Sequence, residues 1–385
     1  MKILFVTSKS LGGSGKYIST LAAALRERGY HCELVYYPMG VAQDAEIEAA
    51  FSAVHHFKAR PGFSPMSVAA NVARVRDVLQ HNRFDWVHTH TSLGGLFGKV
   101  GAKMAQSGAR VGATIHAYGA DEFTPVPQKW VYWVIERFLD LLTDAYVSPS
   151  QYMVDYGRRI HVIAQNKATV IHNSLPLQPP SDDVSALRLS KRAALGLAND
   201  QTAFLFCGRL EKQKGVDVLI AAFAKLPQDL RCHLILCGIG DDEDKLREQA
   251  RTLGLEANIT WAGWQTELEP FYACADVYAM PSRWESFGLV FLEAMNHSLP
   301  VASTRTQAIP EVVEDGVTGL LSANEDVSAL AENLLKLATD HVLRQRLGQA
   351  GKKRLGESFS FERFVDAHVQ WYKAAPAGLP QPNKT

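Results

Sequence analysis

Short apolar runs alternate with longer amphipathic stretches along this chain. The opening run KILFVTS is β-branched and aromatic and predicts a buried strand. Gly12-Gly13-Ser14-Gly15 follow as a glycine-rich turn, residues 17–28 read as a helix stopped by Gly29, and CELVYY predicts a second strand. Strand, glycine loop, helix and strand make a βαβ unit and imply a parallel sheet. Further strands are expected at 86–88, 111–115, 145–147 and 169–171, separated by helical patterns.

The pattern breaks at LPLQPPSDD, residues 175–183, whose three prolines and polar residues mark a linker. It then restarts. TAFLFCG, HLILCG and short runs near 259–261, 277–280 and 299–302 read as strands, again alternating with helices such as 216–224. The fold class expected is α/β, with two doubly wound, Rossmann-like halves facing across a cleft. The expected domains are 1–175, 176–362, a C-terminal helix over 363–374 crossing back to the first domain, and a Pro-rich tail over 375–385 without fixed structure. Two such domains account for a chain of 385 residues. Ligands of open α/β sheets bind beyond the carboxyl ends of the strands, so the chemistry is expected there.

Charge adds an asymmetry. Lys plus Arg and Asp plus Glu both number 40, which argues against a nucleic-acid binder. Up to Leu175, however, 18 basic residues face 13 acidic ones, a net +5 balanced by −5 in the remainder, and nine of the 13 histidines lie in that first part. An anionic partner fits this excess, and so does simple scatter. The five cysteines, at positions 32, 207, 232, 237 and 274, form no CxxC pair and read as reduced, buried apolar residues of a cytoplasmic protein. The apolar start is too short for a signal-peptide core. The longest apolar stretch, 130–147, is broken by Glu136, Arg137, Asp140 and Asp144, so no segment is expected to span a bilayer.

Three segments carry candidate chemistry. Gly12 to Lys16 open a helix, where free amides and the helix dipole favour an anion. With Ser10 and Tyr17 at the diagnostic positions the loop is not a P-loop, and a plain tight turn is the competing reading. Gly208-Arg209-Leu210-Glu211-Lys212-Gln213-Lys214-Gly215 follows a strand, and its guanidinium and ammonium can converge on one diphosphate or stay as a solvated basic loop. Residues 281–295, PSRWESFGLVFLEAM, place Glu285 before a glycine turn, the amides of Gly288, Leu289 and Val290 at a helix start, and Glu293 further along that helix. A carboxylate there can accept from sugar hydroxyls. Asp242-x-Asp244 lies at a helix start, where acids suit the dipole, and no metal site is expected.

GRLEKQKGVDVLI, CGIGDDEDKL and PSRWESFGLVFLEAM occur in order, together with the opening glycine loop and VIHNSLPL. In combination they resemble glycosyltransferase family four, from Lys2 to about Tyr372. The resemblance implies the GT-B fold and transfer of a sugar from a nucleotide sugar with retention at the anomeric carbon. It implies that Arg209 and Lys214 grip the donor diphosphate, that Glu285 contacts donor sugar hydroxyls, and that Glu293 binds the ribose. Gly208, Gly288, Leu289 and Val290 then line the donor site, and Gly13 and Gly15 close over the diphosphate. His116, in TIHAYG, resembles the family's histidine near the transferred sugar. Asp121 and Glu122, in the same loop, are candidates for acceptor hydroxyls. Two departures stand out. The family often has two glycines before a Pro-Glu pair, where this chain has Gln307-Ala308 before Pro310-Glu311, and the typical Asn-Gly is Asn173-Ser174. Glu311 is read as structural.

The expected reaction needs no cofactor and no metal, because Arg209, Lys214 and the helix amides supply charge to the leaving diphosphate. The favoured donor is a UDP-sugar, with GDP-mannose next, and the family favours front-face attack. Lys99, Lys103 and Arg110, with His55, His56, Lys58, Arg60, Arg74 and Arg76, form a basic set on the first half. That set fits a saccharide or polyprenyl-diphosphate-linked acceptor in bacterial surface glycan assembly, with peripheral contact to an anionic inner membrane face. A soluble acceptor is the alternative. The rival functions are a phosphorylase or nucleotide-sugar epimerase of the same fold, and a non-catalytic binding subunit.

Overall fold

The computed structural model describes residues 1–8, 13–121, 124–164 and 166–374. Among these the chain forms two parallel sheets. The first contains β1 (Lys2–Thr7), β2 (His31–Tyr36), β3 (Ala53–His56), β4 (Trp86–His90), β5 (Arg110–Thr114), β6 (Ala145–Ser148) and β7 (Ala168–Val170), in the order β3-β2-β1-β4-β5-β6-β7. The second contains β8 (Thr202–Cys207), β9 (Cys232–Cys237), β10 (Ile259–Gly263), β11 (Val277–Met280), β12 (Val301–Thr304) and β13 (Gly319–Ser322), in the order β10-β9-β8-β11-β12-β13. In both sheets the strand order reverses at the first strand of the unit, between β1 and β4 and between β8 and β11. The α/β class with two Rossmann-like sheets is therefore what the sequence leads one to expect.

The central strands are buried because both faces of each sheet are covered by helices. β1, β8 and β9 read as continuous apolar runs for that reason, and β8 and β9 are buried along their whole length. The sequence reading does not find β3 and β13. Both are four-residue strands at sheet edges, and β3 is only half-buried, so neither carries a strong apolar run. All five cysteines are free and buried.

Two compact units result, residues 1–175 with the described chain from Phe361 on, and Pro176–Ser360; the Pro-rich tail over 375–385 lies outside the described residues. In the first, the helix Phe361–Lys373 packs against the sheet. Trp371 lies 4.8 Å from the Trp86 ring, and the Trp86 indole donates to the Tyr372 carbonyl at 3.1 Å. In the second, the buried guanidinium of Arg192 holds the start of the unit down. It donates to the Cys274 carbonyl at 2.9 Å and the Ala198 carbonyl at 2.7 Å, and pairs with Asp276 at 3.3 Å. Among the described residues no helix is long and apolar enough to cross a membrane.

Candidate functional site

In the second unit, the adjacent strands β8 and β11 end in two loops that meet. The β8 loop leads through Arg209 into a single 3-10 turn, Lys212–Lys214, and then Gly215 at φ +67°. A Cβ on Gly215 would collide with the Pro281 carbonyl, so only glycine lets the β8 loop lie this close to the β11 loop. The closure is held by side chains. Gln213 donates to the Trp284 carbonyl at 3.0 Å, and the Arg283 amide donates to the Gln213 carbonyl at 2.8 Å.

That approach pairs Lys214 with Glu285, the ammonium donating to the carboxylate with both side chains largely buried. Arg209 is turned differently. It is 60% exposed and donates to Glu211 at 2.7 Å and Gln213 at 3.2 Å, so Arg209 and Lys214 do not converge in this arrangement. Glu285 is fixed from behind as well, because its amide donates to the Gln307 side-chain oxygen at 3.0 Å. Gln307 holds φ +44°, the left-handed region, at the place where glycine is frequent in the family. The chain keeps the glycine-like backbone there and adds a side chain that braces the loop.

Gly288, at φ +88°, then turns the chain into the helix Leu289–Asn296. Amides in the first turn of a helix have no carbonyl of their own helix to bond, so those of Leu289 and Val290 are suited to an anion. Glu293 lies within this helix and accepts from the Tyr272 hydroxyl at 2.8 Å. Gly208 continues the β8–β9 ladder, its amide donating to the Cys237 carbonyl at 2.9 Å. Beneath the loops Arg283 binds Asp217 through two 2.8 Å bonds and also holds Glu325 and the Lys212 carbonyl. Burial raises the Asp217 carboxyl, but the Arg283 bonds outweigh it and the net shift is downward. Sequence reasoning assigned no role to Gln213, Arg283 or Gln307. All three lie inside or beside the motif segments, but the partners that give them a role, Trp284, Asp217 and Glu285, are distant in sequence.

The first unit builds a different environment. Gly13 and Gly15 fall within the helix Gly13–Glu27, so the expected glycine loop is partly the first turn of that helix. His116 follows β5. Its ring shares a 3.2 Å hydrogen bond with His90 at the end of β4, and its edge meets the Tyr17 ring at 5.1 Å. The Tyr17 hydroxyl lies 2.7 Å from His368 Nε2, and His368 Nδ1 donates to the Phe364 carbonyl at 2.8 Å. A carbonyl only accepts, so the neutral His368 takes its second bond from the tyrosine. Burial pushes His116 and His368 down to about 4, and His88 and His90 well below their ordinary value. His90 was missed because the β4 reading stopped at His88. Its buried Nε2 has no hydrogen-bond partner among the described residues.

Asp121 accepts from Thr124 at 2.7 Å, while Glu122 lies outside the described residues. In the sequence Glu136 stands only as a charge interrupting an apolar stretch. Its carboxylate accepts from the Gly119 amide at 2.7 Å and so ties down the segment that follows His116. Burial raises Glu136 to about 7 against that bond.

The expected basic surface of the first unit needs correction. Lys99 is buried, its ammonium 5.0 Å from the Tyr146 ring centroid, and burial lowers it to about 8. Arg76 and Lys58 share Asp77, at 2.9 and 3.5 Å, and His55 is bonded to Glu33 at 2.8 Å. Much of the set is spent inside the unit. Among the described residues, no group of three or more His, Cys, Asp or Glu side chains is arranged to hold a metal ion.

Residues 11–178 match the family model Glycosyltransferase Family 4, and residues 188–354 match Glycosyl transferases group 1. A 41.2 kDa protein in the cps region of Klebsiella pneumoniae is 30% identical over 325 residues, covering 82% of this chain and 86% of that one. The chain belongs to glycosyltransferase family four. This glycosyltransferase is also 35% identical, over 185 residues, to the lipopolysaccharide core biosynthesis glycosyltransferase LpsE of Rhizobium meliloti, covering 48% of this chain and 54% of LpsE. The crystal structure of Anabaena Alr3699/HepE in complex with UDP and glucose matches its fold with a TM-score of 0.84. At 21% identity that match covers 97% of this chain and 99% of the Anabaena chain.

Proposed function

We propose that this glycosyltransferase moves a hexosyl or N-acetylhexosaminyl unit from a UDP-sugar, with retention and without a divalent ion. The acceptor is a saccharide or a polyprenyl-diphosphate-linked saccharide of bacterial surface glycan assembly. The observation that carries this reading is the Lys214–Glu285 pair, a cation and a carboxylate held together beside the helix start at Gly288. The UDP complex of the Anabaena protein supports the donor base, and the cps-region and LpsE relatives support the pathway class.

In the proposed reaction Lys214, Arg209 and the amides of Gly288, Leu289 and Val290 meet the diphosphate as negative charge grows on it. Arg209 must swing from Glu211 to do so, and its exposure permits that. Glu285 accepts from donor sugar hydroxyls, and Glu293 from the ribose. The bond from the anomeric carbon to the diphosphate oxygen breaks through an oxocarbenium-like state. The acceptor oxygen bonds to the anomeric carbon on the same face, and its proton passes to the leaving diphosphate. His116 is uncharged at neutral pH and sits near the sugar as a hydrogen-bonding group. Gly13 and Gly15 act on the diphosphate, and Asp121 with Glu122 on the acceptor.

Thermal shift with UDP, GDP and ADP tests the donor side. A diphosphate at about 100 times its Kd adds roughly 2.7 kcal/mol, several degrees in Tm. A shift with UDP alone is expected. A shift with GDP instead replaces the donor, and no shift with any removes the nucleotide-sugar reading. The anomeric configuration of the product, read by NMR, tests retention.

A further inference from the structure

The helix Val126–Asp140 of the first unit is built inside out. Val126, Trp130, Val131, Val134 and Phe138, with Leu141 just beyond its end, are all exposed, Trp130 at 64% and Leu141 at 70%. At 3.6 residues per turn they fall in one arc of roughly 140°. A surface helix ordinarily turns polar residues outward along such an arc.

The helix is not loosely attached. Its other side is docked, with Leu139 and Asp140 buried, the Trp133 indole donating to the Ile160 carbonyl at 2.6 Å, and Glu136 bonded to Gly119. The apolar arc is therefore a fixed feature of the folded unit. It continues sideways through Phe63, whose ring lies 6.0 Å from that of Tyr132, to the start of the helix Pro65–His81, where Met66 is 84% exposed. Contiguous exposed apolar surface of this kind marks an interaction site.

Charge says which partner it fits. The exposed charge on the arc is Arg137, which shares the buried Asp140 with Lys167 at 3.4 and 3.5 Å, and the other acid of the helix, Glu136, is turned toward the Gly119 amide. The flanking segment 57–68 adds Arg60, together with Lys58, which Asp77 holds at 3.5 Å, and has no acid of its own. A second copy docking on this face would bring in more cations, while the acids paired there, Asp77 and Asp140, already hold cations of their own. An anionic lipid surface complements the same pattern, with the apolar ridge entering the interface, the tryptophan at headgroup depth and the cations against the phosphates.

We propose that the outward face of Val126–Asp140, with Phe63 and Met66, is where this glycosyltransferase lies on an anionic membrane. The surface shares only Lys58 and Arg60 with the basic set read from sequence, and it deepens the reading of a lipid-linked acceptor by naming the face that meets the bilayer.

Flotation of the full chain with phosphatidylcholine vesicles, and with vesicles of equal parts phosphatidylcholine and phosphatidylglycerol, tests it. The wild type is expected to float with the mixed vesicles at low salt and much less with the neutral ones. Combined Trp130→Gln, Val134→Ser and Phe138→Ser substitutions should weaken binding at least about tenfold. Arg137→Glu should weaken it less and flatten its salt dependence. The substituted side chains are exposed, and an unchanged circular dichroism spectrum and melting temperature check that the variants fold. Wild type that does not float, or a triple variant that floats equally, overturns the proposal. So does sedimentation showing a wild-type dimer that the triple variant dissociates while neither binds vesicles, which assigns the face to a second copy. Flotation needs no turnover, so its failure leaves the response to UDP standing, and a missing UDP response leaves the membrane face standing.

Discussion

The two sheets carry opposite chemistries beyond their strand ends. In the second unit the named charges are matched, Lys214 by Glu285, Arg209 by Glu211, and Arg283 by Asp217 and Glu325. In the first unit the clustered groups at the ends of β4 and β5 are imidazoles and hydroxyls that burial keeps uncharged. The difference follows from what each backbone brings together. A charge persists in a sheltered site when a counter-charge is held beside it, and a titratable group without one gives up its charge. In the proposed reaction the second unit has Lys214 in place for a dianionic diphosphate and Arg209 exposed to swing toward it, and the first offers hydrogen bonds to a neutral sugar.

The largest test of that contrast is Lys214→Ala. It removes a cation from the donor side and leaves Glu285 sheltered without its counter-charge. Turnover should fall by about two to three orders of magnitude, as when one positioned charge stabiliser is lost. Arg209→Ala should cost less, because its exposed guanidinium is better screened. Steady-state kinetics on both variants reads the order, and normal turnover by both would sink the diphosphate role. Glu285→Gln should keep the UDP-induced thermal shift and lose transfer. An unchanged rate at saturating donor would remove Glu285 from the site.

The next effect belongs to the first unit and to pH. Glu136 is raised to about 7 in the folded state, so it binds its proton more tightly folded than unfolded. Stability from this group is present at low pH, declines as pH rises from its ordinary carboxylate value to about 7, and is flat above that. The total is up to about 3 kcal/mol. The buried histidines shift stability the opposite way at lower pH, so the comparison is between proteins. The Tm of Glu136→Gln minus that of wild type should grow between about pH 5 and pH 8. A difference that does not change with pH would contradict the raised carboxyl.

The smallest effect is expected for Gln307→Gly. Glycine relieves the left-handed backbone but removes the bond to the Glu285 amide. Each is worth about 1 kcal/mol, so Tm should barely move. Turnover should fall by a few-fold with donor KM nearly constant, because only the bracing of Glu285 is lost. A change confined to KM would place Gln307 in donor binding.

Much of this was legible from residues alone. AFLFC and LILC are unbroken apolar runs, and they lie in the fully buried β8 and β9. The segments 208–215 and 281–295 sit directly after strands, so their position at the sheet's carboxyl end followed from the βαβ pattern. Edge strands were the exception, since AVHH and GLLS owe their pairing to a neighbour rather than to their own composition. Lys99 shows the same limit for charge. It was counted with an exposed basic set, yet its helix turns it inward against Tyr146.

The sequence by itself determined the two α/β halves, the family, and which loops carry the candidate chemistry. Apolar periodicity and glycine placement are local, and they act within a few residues of where they are written. Tertiary structure decided which charges are matched and which faces stay bare. Lys214 finds Glu285 across 71 residues because the sheet order sets β8 beside β11. The helix Val126–Asp140 shows its apolar face because its other side is docked on the unit, through Trp133 on the Ile160 carbonyl and Glu136 on the Gly119 amide. Partners set by strand order and docking angle have no signature in local pattern, and they appear only once the chain is folded.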